Sequence, residues 1–329
     1  MDSLNPSPGA LISSAAALPG VLCCGNLVRD VLVGPVQEPQ WGRTVWVESI
    51  VDTFGGNGAN TSYVLARLGI PVRLLGAVGD DRAGDEVVST LTEAGVDTQY
   101  VARLRLPTPS TVALVNPNGA RAFLHRPGAS REAFREPFDL AAHHTAGCTW
   151  FHLANVFGLP ALRPHAASLL KQAHDAGLAI SIDTGWDSRG EWMATLSPCL
   201  PYVDLLFVNE DEARELTGAA DPDEAARILM QQGARAVVVK LGSAGCAFFN
   251  ADDHFRSPAF PVQAVDTTGA GDCFTGGFLA ALQRGYHHRE AVRFANAVGA
   301  LSVQKMGGTT GILSFGETLD WYRRCQAGL

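Results

Sequence analysis

The chain has 329 residues, of which 47% are hydrophobic and 18% are charged, and its net charge is −8. This length suits one large α/β domain with a small appendage. The acidic balance and the absence of any run of Lys or Arg exclude nucleic acid and anionic membranes as main partners, and no apolar stretch is long enough to cross a bilayer.

The first twenty residues lack the basic start of a signal peptide, and their apolar stretch is short and interrupted by serines. We therefore expect residues 1–20 to be a flexible tail and the protein to be cytoplasmic. The seven cysteines form no C-x-x-C pair, which favours reduced thiols over a metal or redox site.

Short apolar runs rich in β-branched residues alternate with amphipathic stretches along most of the chain. The runs predict parallel strands buried on both faces, and the stretches between them predict helices, most of which end at a glycine. Such alternation is typical of an α/β sheet with right-handed crossovers. The predicted strands are 21–25, 72–79, 178–183, 203–209 and 236–242, and the predicted helices are 59–69, 83–95, 163–177 and 221–233.

Two regions, 31–53 and 105–127, depart from this alternation. The first leads into the alternating segment TVWVESIVDTF, and the second has an Asn-Gly turn between two strand-like runs. Both patterns are typical of antiparallel strands with one face in water. Because these regions interrupt the α/β body, they predict a small sheet that covers a site as a lid. The main domain is expected over 21–320, and a C-terminal tail over 321–329.

The segment DTTGAGDCFTGGFLAAL, residues 266–282, joins a glycine-rich loop to a helix-like run. Backbone N–H groups at a helix N-terminus have no intrahelical partner, and the small residues Gly269, Ala270 and Gly271 let an anion approach them. Asp272 lies in the first turn, where the helix dipole favours its ionised form and leaves it a weak base. A phosphate loop with a weak base suits phosphoryl transfer, although a plain glycine turn with an acidic helix start explains the segment equally well.

A second glycine loop, GGNGAN at 55–60, also runs into an amphipathic helix. Its Asn57 and Asn60 amides suit hydroxyl groups better than phosphates. Upstream, Asp30 follows the first strand, where its carboxylate is placed to accept hydrogen bonds from two vicinal hydroxyls of a sugar. A strand-end cap at Asp30 and a bare turn at 55–60 are the structural alternatives.

The motifs GGNGANTSYVLARLG, GAVGDDRAG and DTTGAGDCFTGGFLAAL resemble, in order and spacing, the two signatures of the ribokinase-like (PfkB) carbohydrate kinases. The resemblance covers 22–319 and implies a ribokinase-like three-layer α/β/α sandwich, with a mostly parallel central sheet plus a small β-sheet lid. It also implies transfer of the ATP γ-phosphoryl group to a primary hydroxyl of a small carbohydrate. Asp272 would be the catalytic base, and the backbone of Gly269, Ala270 and Gly271 would be the anion hole.

The resemblance implies further binding residues. The implied acceptor contacts are Asp30, Gly56, Asn60 and Asn155, with Phe123, His125 and Arg126 on the lid. The implied ATP contacts are Asn209, Lys240, Gly242, Gly245 and Asn296. Asn209 and Glu212 would organise Mg²⁺ indirectly, and the same two residues also predict a helix cap. The implied positions around a monovalent cation, expected to be K⁺, are Asp266, Thr268, Ser302, Lys305, Gly307 and Gly311.

Two departures and several alternatives stay open at this point. Asn155 stands where ribokinase has Glu, which puts ribose as the acceptor in question. Gly311 stands where ribokinases usually have Ser, which puts ligation of the cation by a side-chain hydroxyl in question. Trp46, Phe54 and Phe123 are compatible with a nucleoside acceptor, and a catalytically silent sugar- or nucleotide-binding protein would share the fold. A dinucleotide-dependent oxidoreductase is disfavoured because CGNLVRD, after the first strand, lacks G-x-G-x-x-G. A homodimer through the lid is a hypothesis that the residues do not decide.

Overall fold

The computed structural model describes residues 18–39, 41–117 and 121–326. Within these ranges the chain forms a large sheet with helices on both faces and a separate small sheet. The strands are β1 (Gly20–Gly25), β2 (Val28–Gly34), β3 (Ser49–Gly55), β4 (Val72–Gly79), β5 (Val101–Leu104), β6 (Ser110–Val115), β7 (Arg121–Arg126), β8 (Cys148–Ala154), β9 (Ala179–Asp183), β10 (Leu205–Asn209), β11 (Ala236–Lys240), β12 (Cys246–Asn250) and β13 (His254–Ser257). The helices are α1 (Asn57–Arg67), α2 (Arg82–Glu93), α3 (Ala142–Thr145), α4 (Ala166–Asp175), α5 (Met193–Leu196), α6 (Glu210–Thr217), α7 (Pro222–Gln231), α8 (Ala270–Gln283), α9 (His288–Ser302) and α10 (Phe315–Gln326).

The large sheet has nine strands in the order β13-β12-β11-β10-β9-β8-β1-β4-β5. All neighbours pair in parallel except β11 with β12 and β12 with β13. The five strands predicted from apolar runs are β1, β4, β9, β10 and β11, and every residue of β1 is buried. A parallel sheet covered on both faces requires such continuous apolar runs.

Helices cover both faces of this sheet. On one face, Leu169 of α4 and Leu229 of α7 lie in one buried apolar cluster. On the other face, Leu65 of α1, Phe278 of α8 and Val292 of α9 lie in a second cluster. The expected three-layer α/β/α architecture is confirmed.

The small sheet, which we call the lid, has the order β3-β2-β6-β7. Its central pair, β2 and β6, is parallel, and its outer pairs are antiparallel. The predicted alternation over 44–54 is partly wrong, because the strand begins only at Ser49. Before it, the Trp41 and Trp46 side chains are exposed, so neither has packing that would extend the strand. The predicted Asn-Gly turn, 118–119, lies outside the described residues.

The C-terminal tail predicted over 321–329 is wrong for its first part, because α10 continues to Gln326. Tyr322 is only 2% exposed, and its ring packs edge-on against Phe260 at 5.6 Å between centroids. This apolar contact makes residues 321–326 part of the domain. Residues 1–17 and 327–329 lie outside the described ranges, and among the described helices none is long and apolar enough to span a membrane.

The topology brings several loops to one edge of the large sheet. β1 lies between β4 and β8, so the strand order reverses at this point. In open α/β sheets, ligands bind outside the carboxyl ends of the strands at such a switch point. The carboxyl ends of β8, β9, β10 and β11 meet the N-termini of α1 and α8 here, as the side-chain contacts of Asn155, Asp183 and Lys240 show.

Candidate active site

Asp272 lies in the first turn of α8 and is 6% exposed. Both of its carboxylate oxygens accept hydrogen bonds from the N-terminal turn of α1. Asn57 Nδ2 donates to Oδ1 at 2.7 Å, and Asn60 Nδ2 donates to Oδ2 at 2.8 Å. The two glycine loops, more than 200 residues apart in sequence, therefore form one site.

A further asparagine fixes the direction of this contact. Asn155 has φ of 63°, a left-handed conformation in which Asn is tolerated. Its Oδ1 accepts from Gly158 N and its Nδ2 donates to Asn57 Oδ1, both at 2.8 Å. Because Asn57 Oδ1 is an acceptor in this chain, its Nδ2 group must point at Asp272. Asn155 thus orients the amide that holds the carboxylate.

The electrostatics of Asp272 differ from those predicted for a helix N-terminus. Burial raises the pKa of Asp272 to about 6, and the negative charge of Asp183 adds to this increase. The hydrogen bonds from Asn60 and Asn57 and the charge of Lys240 oppose it but do not cancel it. Asp272 is therefore a stronger base than the helix dipole alone predicts, and it is still ionised at neutral pH.

The glycine loop before Asp272 leads into an uncapped helix N-terminus. Gly269 is the N-cap of α8 with φ of 67°, and in the described part of the chain no side chain caps this end. A Cβ on Gly269 would lie 3.1 Å from Asn60 Nδ2, so the loop and the amide that holds Asp272 are in contact. The N-terminus of a 14-residue helix thus adjoins the carboxylate.

A buried ion pair lies beside the loop. Lys240 Nζ donates to both carboxylate oxygens of Asp183, at 2.9 and 2.7 Å. Thr275 of α8 donates to Asp183 Oδ2 at 2.8 Å. The side chains of Lys240 and Asp183 are 14% and 3% exposed, respectively, so the pair is largely shielded from solvent.

The lid contributes a row of polar residues. Cross-strand pairing aligns Thr53, Asp30, Thr111 and His125 across its four strands. Thr111 Oγ1 lies 3.1 Å from His125 Nδ1. Burial raises the pKa of Asp30 to about 6, while a hydrogen bond from Thr111 opposes the increase. A Cβ on Gly55 would lie 1.9 Å from Asp30 Oδ2, so only glycine there leaves room for this carboxylate.

The chain that carries this buried carboxylate and polar lid also matches the model of a known family. The chain fits the model described as pfkB family carbohydrate kinase over residues 20–314. The chain belongs to this family. It is therefore a phosphotransferase with an alcohol group as acceptor.

Individual relatives cover nearly the whole chain. The aminoimidazole riboside kinase of Salmonella typhimurium is 31% identical over 311 residues, which span 90% of this chain and 93% of that protein. The structure of Arabidopsis thaliana ribokinase complexed with ribose and ATP has a TM-score of 0.81 and 26% identity, and the match covers 94% of this chain and 99% of that one. A provisionally named ribokinase II from E. coli, in complex with ATP and Mg²⁺, has a TM-score of 0.77 and 25% identity, with 93% and 100% covered.

Within this kinase-family fold, Asn209 and Glu212 form a reciprocal helix cap. Asn209 Oδ1 accepts from Glu212 N at 2.8 Å, and Glu212 Oε2 accepts from Asn209 N at 2.9 Å. Thr184 Oγ1 also donates to Glu212 Oε2 at 3.0 Å. The predicted helix cap is confirmed, and both side chains lie at the same sheet edge as Lys240.

The glycines and Asn296 implied for the nucleotide side also lie together. Asn296 Nδ2 donates to Ser257 Oγ at 3.1 Å and to Pro258 O at 3.2 Å. Gly245 has φ of 94°, and a Cβ there would lie 2.0 Å from Ser257 O. Gly242 begins the same turn. Asn296 therefore anchors the 257–258 segment beside the 242–245 turn.

Asp266 joins the two loops implied for a monovalent cation. Its Oδ1 accepts from Thr268 N and its Oδ2 from Gly307 N, both at 2.8 Å. Arg121, on lid strand β7, pairs with Asp266 Oδ1 at 2.6 Å and donates to Thr268 Oγ1 at 2.7 Å. Ser302 Oγ donates to Gly299 O, Lys305 is exposed, and Gly311 has no side chain.

The Arg121 guanidinium already pairs with the Asp266 carboxylate, and a second positive charge on the same side chain is disfavoured by repulsion. Main-chain oxygens are the ligands that these positions offer.

Sequence reasoning missed three contributors to the site: Asp183, Thr275 and Arg121. Asp183 had a detectable signal, since a carboxylate at the end of a buried parallel strand lies at the ligand-binding edge. Arg121 had no signal in the sequence, because its partner Asp266 is 145 positions away and the contact depends on where the lid lies. Of the lid residues implied for the acceptor, Phe123 is 56% exposed, and Arg126 donates to Thr108 O and to Ser110 Oγ of the lid region itself.

Proposed function

We propose that this protein is an ATP-dependent sugar kinase that transfers the γ-phosphoryl group to a primary hydroxyl of a small carbohydrate. The observation that carries the proposal is the position of Asp272, held by two amides beside the glycine loop. Asp272 is the base, and the Gly269, Ala270 and Gly271 backbone is the anion hole. The acceptor oxygen forms a bond to phosphorus, its proton passes to Asp272, and the bond between phosphorus and the ADP oxygen breaks.

The pKa of Asp272 suits this role. A general base works best when its pKa is near the operating pH, and burial moves this carboxylate from its ordinary 3.8 to about 6. The two amide donors keep the ionised form available and leave the remaining lone pairs of each oxygen for an acceptor hydroxyl.

The residues on the nucleotide side fit Mg²⁺ that is carried by the ATP phosphates. Asn209 and Glu212 each use one side-chain oxygen as an acceptor in the helix cap. The described residues contain no group of three acidic, His or Cys side chains that would hold a metal ion. Mg²⁺ usually keeps several waters and takes only one or two carboxylates from the protein. Glu212 and Asn209 would therefore orient those waters, and the ion would neutralise charge on the phosphates. Lys240, Gly242, Gly245 and Asn296 complete the proposed ATP site.

A ribose-type ring is the first candidate for the acceptor, and Asn155 in place of the Glu of ribokinase makes ribose itself the acceptor that the assay must test. The Arabidopsis ribokinase structure holds ribose, and the Salmonella relative is named for a riboside. Asp30, Gly56, Asn60 and Asn155 are the proposed acceptor contacts, and the Thr53, Asp30, Thr111 and His125 row offers polar groups above them. A nucleoside is the second candidate acceptor, because the exposed Phe123 ring on the lid is available to stack on a base.

The test is ADP release with Mg-ATP and K⁺ across pentoses, hexoses, sugar acids and nucleosides, run beside Asp272→Asn. Turnover that needs one acceptor and is lost in the variant supports the kinase and identifies its substrate class. ATP binding without turnover on any acceptor would instead support a silent binding protein on this fold.

Two further proposals accompany this function. K⁺ is proposed to bind main-chain oxygens near Thr268, Gly307 and Gly311. Replacing K⁺ with tetramethylammonium should therefore lower kcat, and an unchanged rate would refute cation dependence.

A homodimer through the lid is also proposed, because Ile50 and Leu124 expose 65% and 63% of their surface there. A monomeric mass in sedimentation would refute it.

A further inference from the structure

Lys240 is one of three lysines in the chain, and it ends β11 at the edge of the sheet that carries the site. Asp183 binds its ammonium through both oxygens, and Thr275 in the second turn of α8 donates to the same carboxylate. The ammonium position is therefore set by β9 and α8 together.

The held ammonium faces the glycine loop. A Cβ built on Gly271 would lie 3.2 Å from Lys240 Nζ, so the two groups are close to van der Waals contact. An ammonium has three N–H donors, and within the described residues its hydrogen bonds go to Asp183 alone. One donor therefore remains for an anion bound to the loop.

The local charge requires such a cation. Asp183, Asp272 and Glu212 are all buried at this edge of the sheet, and three carboxylates would repel a phosphate. Burial lowers the pKa of Lys240, but the Asp183 and Glu212 carboxylates outweigh this effect, and the pKa lies above its ordinary value. The side chain thus keeps its charge at neutral pH.

We propose that Lys240 is the charged residue that binds the transferring phosphoryl group at the Gly269–Gly271 loop, and that Asp183 and Thr275 are positioning residues that hold it there. The inference rests on the proposed kinase function and deepens it. Lys240 stays protonated and makes no covalent bond during transfer. Its charge stabilises the phosphoryl oxygens while the acceptor proton passes to Asp272.

The alternative is an ion pair that only stabilises the fold, and the double variant Asp183→Asn with Lys240→Met separates the two. Removing one partner leaves a buried unpaired charge, whereas removing both charges is often tolerated. The double variant should therefore fold, which circular dichroism checks, and its kcat should still be lower by about 10²- to 10³-fold. A kcat within about threefold of the wild type would overturn the proposal.

Nucleotide binding gives a second measurement that does not need turnover. In calorimetric titrations, Lys240→Met and the double variant should bind ATP at least about tenfold more weakly, while AMP affinity changes less than about twofold. Equal losses for ATP and AMP would overturn the assignment. Lys171→Met is the matched control, because it removes an exposed lysine paired with Asp175, and it should change neither affinity. If the wild-type protein binds ATP but never turns over, the kinase proposal is refuted. The loss of ATP affinity relative to AMP affinity would then still test the role of Lys240.

The role of Asp183 has its own readout in the pH profile. The charged, titratable and hydrogen-bonding groups near Asp272 include the Asp183 carboxylate from β9, the Lys240 ammonium from β11, the Asn57 and Asn60 amides from α1, the Cys23 thiol from β1 and the Asp30 carboxylate from the lid strand β2. Asp183→Asn should move the acidic limb of kcat/KM to lower pH, and Lys240→Met should move it to higher pH. Shifts in the same direction, or no shifts, would contradict two opposed charges beside the base.

Discussion

Asp272→Asn is expected to inactivate the enzyme and to stabilise it at the same time. Burial raises the pKa of Asp272 from 3.8 to about 6, so the folded state binds its proton more tightly than the unfolded state does. The free energy of unfolding therefore falls as pH rises from about 4 to about 6. At about 1.4 kcal/mol per pKa unit, the ionised carboxylate costs about 3 kcal/mol above pH 6.

The asparagine variant removes this cost but loses part of one hydrogen bond. Asn57 and Asn60 both donate to the carboxylate, and an amide offers them only one acceptor oxygen. That loss is worth about 1 kcal/mol, so the net gain at pH 8 is about 2 kcal/mol. For a protein of this size the melting temperature should rise by about 3 °C. At pH 5 part of the cost has already disappeared, and the net gain should fall below about 1 kcal/mol.

Thermal unfolding of the ligand-free protein at pH 5 and pH 8 measures both values, and ADP release measures the loss of activity. Asp252→Asn is the control, because it removes the same charge at an exposed position and should give no pH-dependent gain. If the variant is less stable than the wild type at pH 8, or is stabilised equally at both pH values, then the buried ionised Asp272 does not destabilise the fold.

Three other changes test neighbouring groups. Asn60→Leu removes a donor to the ionised Asp272 carboxylate, so the pKa of Asp272 should rise further. The acidic limb of kcat/KM should then move to higher pH, and a limb that stays in place would contradict the role of Asn60 as this donor. Asp30→Asn should raise the acceptor KM by about tenfold or more and leave the ATP KM nearly unchanged in initial-rate assays, and equal effects on both would argue against an acceptor contact. Arg121→Ala breaks the lid contact with Asp266, so ADP release without acceptor should increase relative to phosphoryl transfer. If the ratio of these two rates stays constant, the lid does not exclude water through this residue.

The sequence was sufficient to predict the layers of the fold and the loops of the site. β1, β4 and β11 are continuous apolar runs, a pattern that local composition shows directly, and the glycine loops at 55–60 and 266–272 are visible as glycine clusters. The antiparallel strands β12 and β13 were missed, and β13 is a four-residue edge strand, which gives a weak pattern. The helix α10 was missed because its stability comes from the contact of Tyr322 with Phe260.

The charges around Asp272 were the least predictable part of the site. Position at a helix N-terminus predicts a weak base, and burial produces a stronger one. Burial is a sum over neighbours from several elements, and the sequence does not list those neighbours. The pairing of Asp183 with Lys240 depends in the same way on β10 lying between their strands.

The parallel pairing of β2 with β6 has a consequence for how the lid can be assembled or altered. Two short hairpin halves, separated in sequence by α1, β4, α2 and β5, supply its four strands. An isolated two-stranded hairpin is marginally stable in water, so neither half can be transplanted to another protein as a working unit. Because the two halves are far apart in sequence, we expect the lid to form after the body strands between them. New chain termini placed in the exposed 41–48 connection would leave all three of its ladders uncut, so a circular permutant opened there should retain the lid.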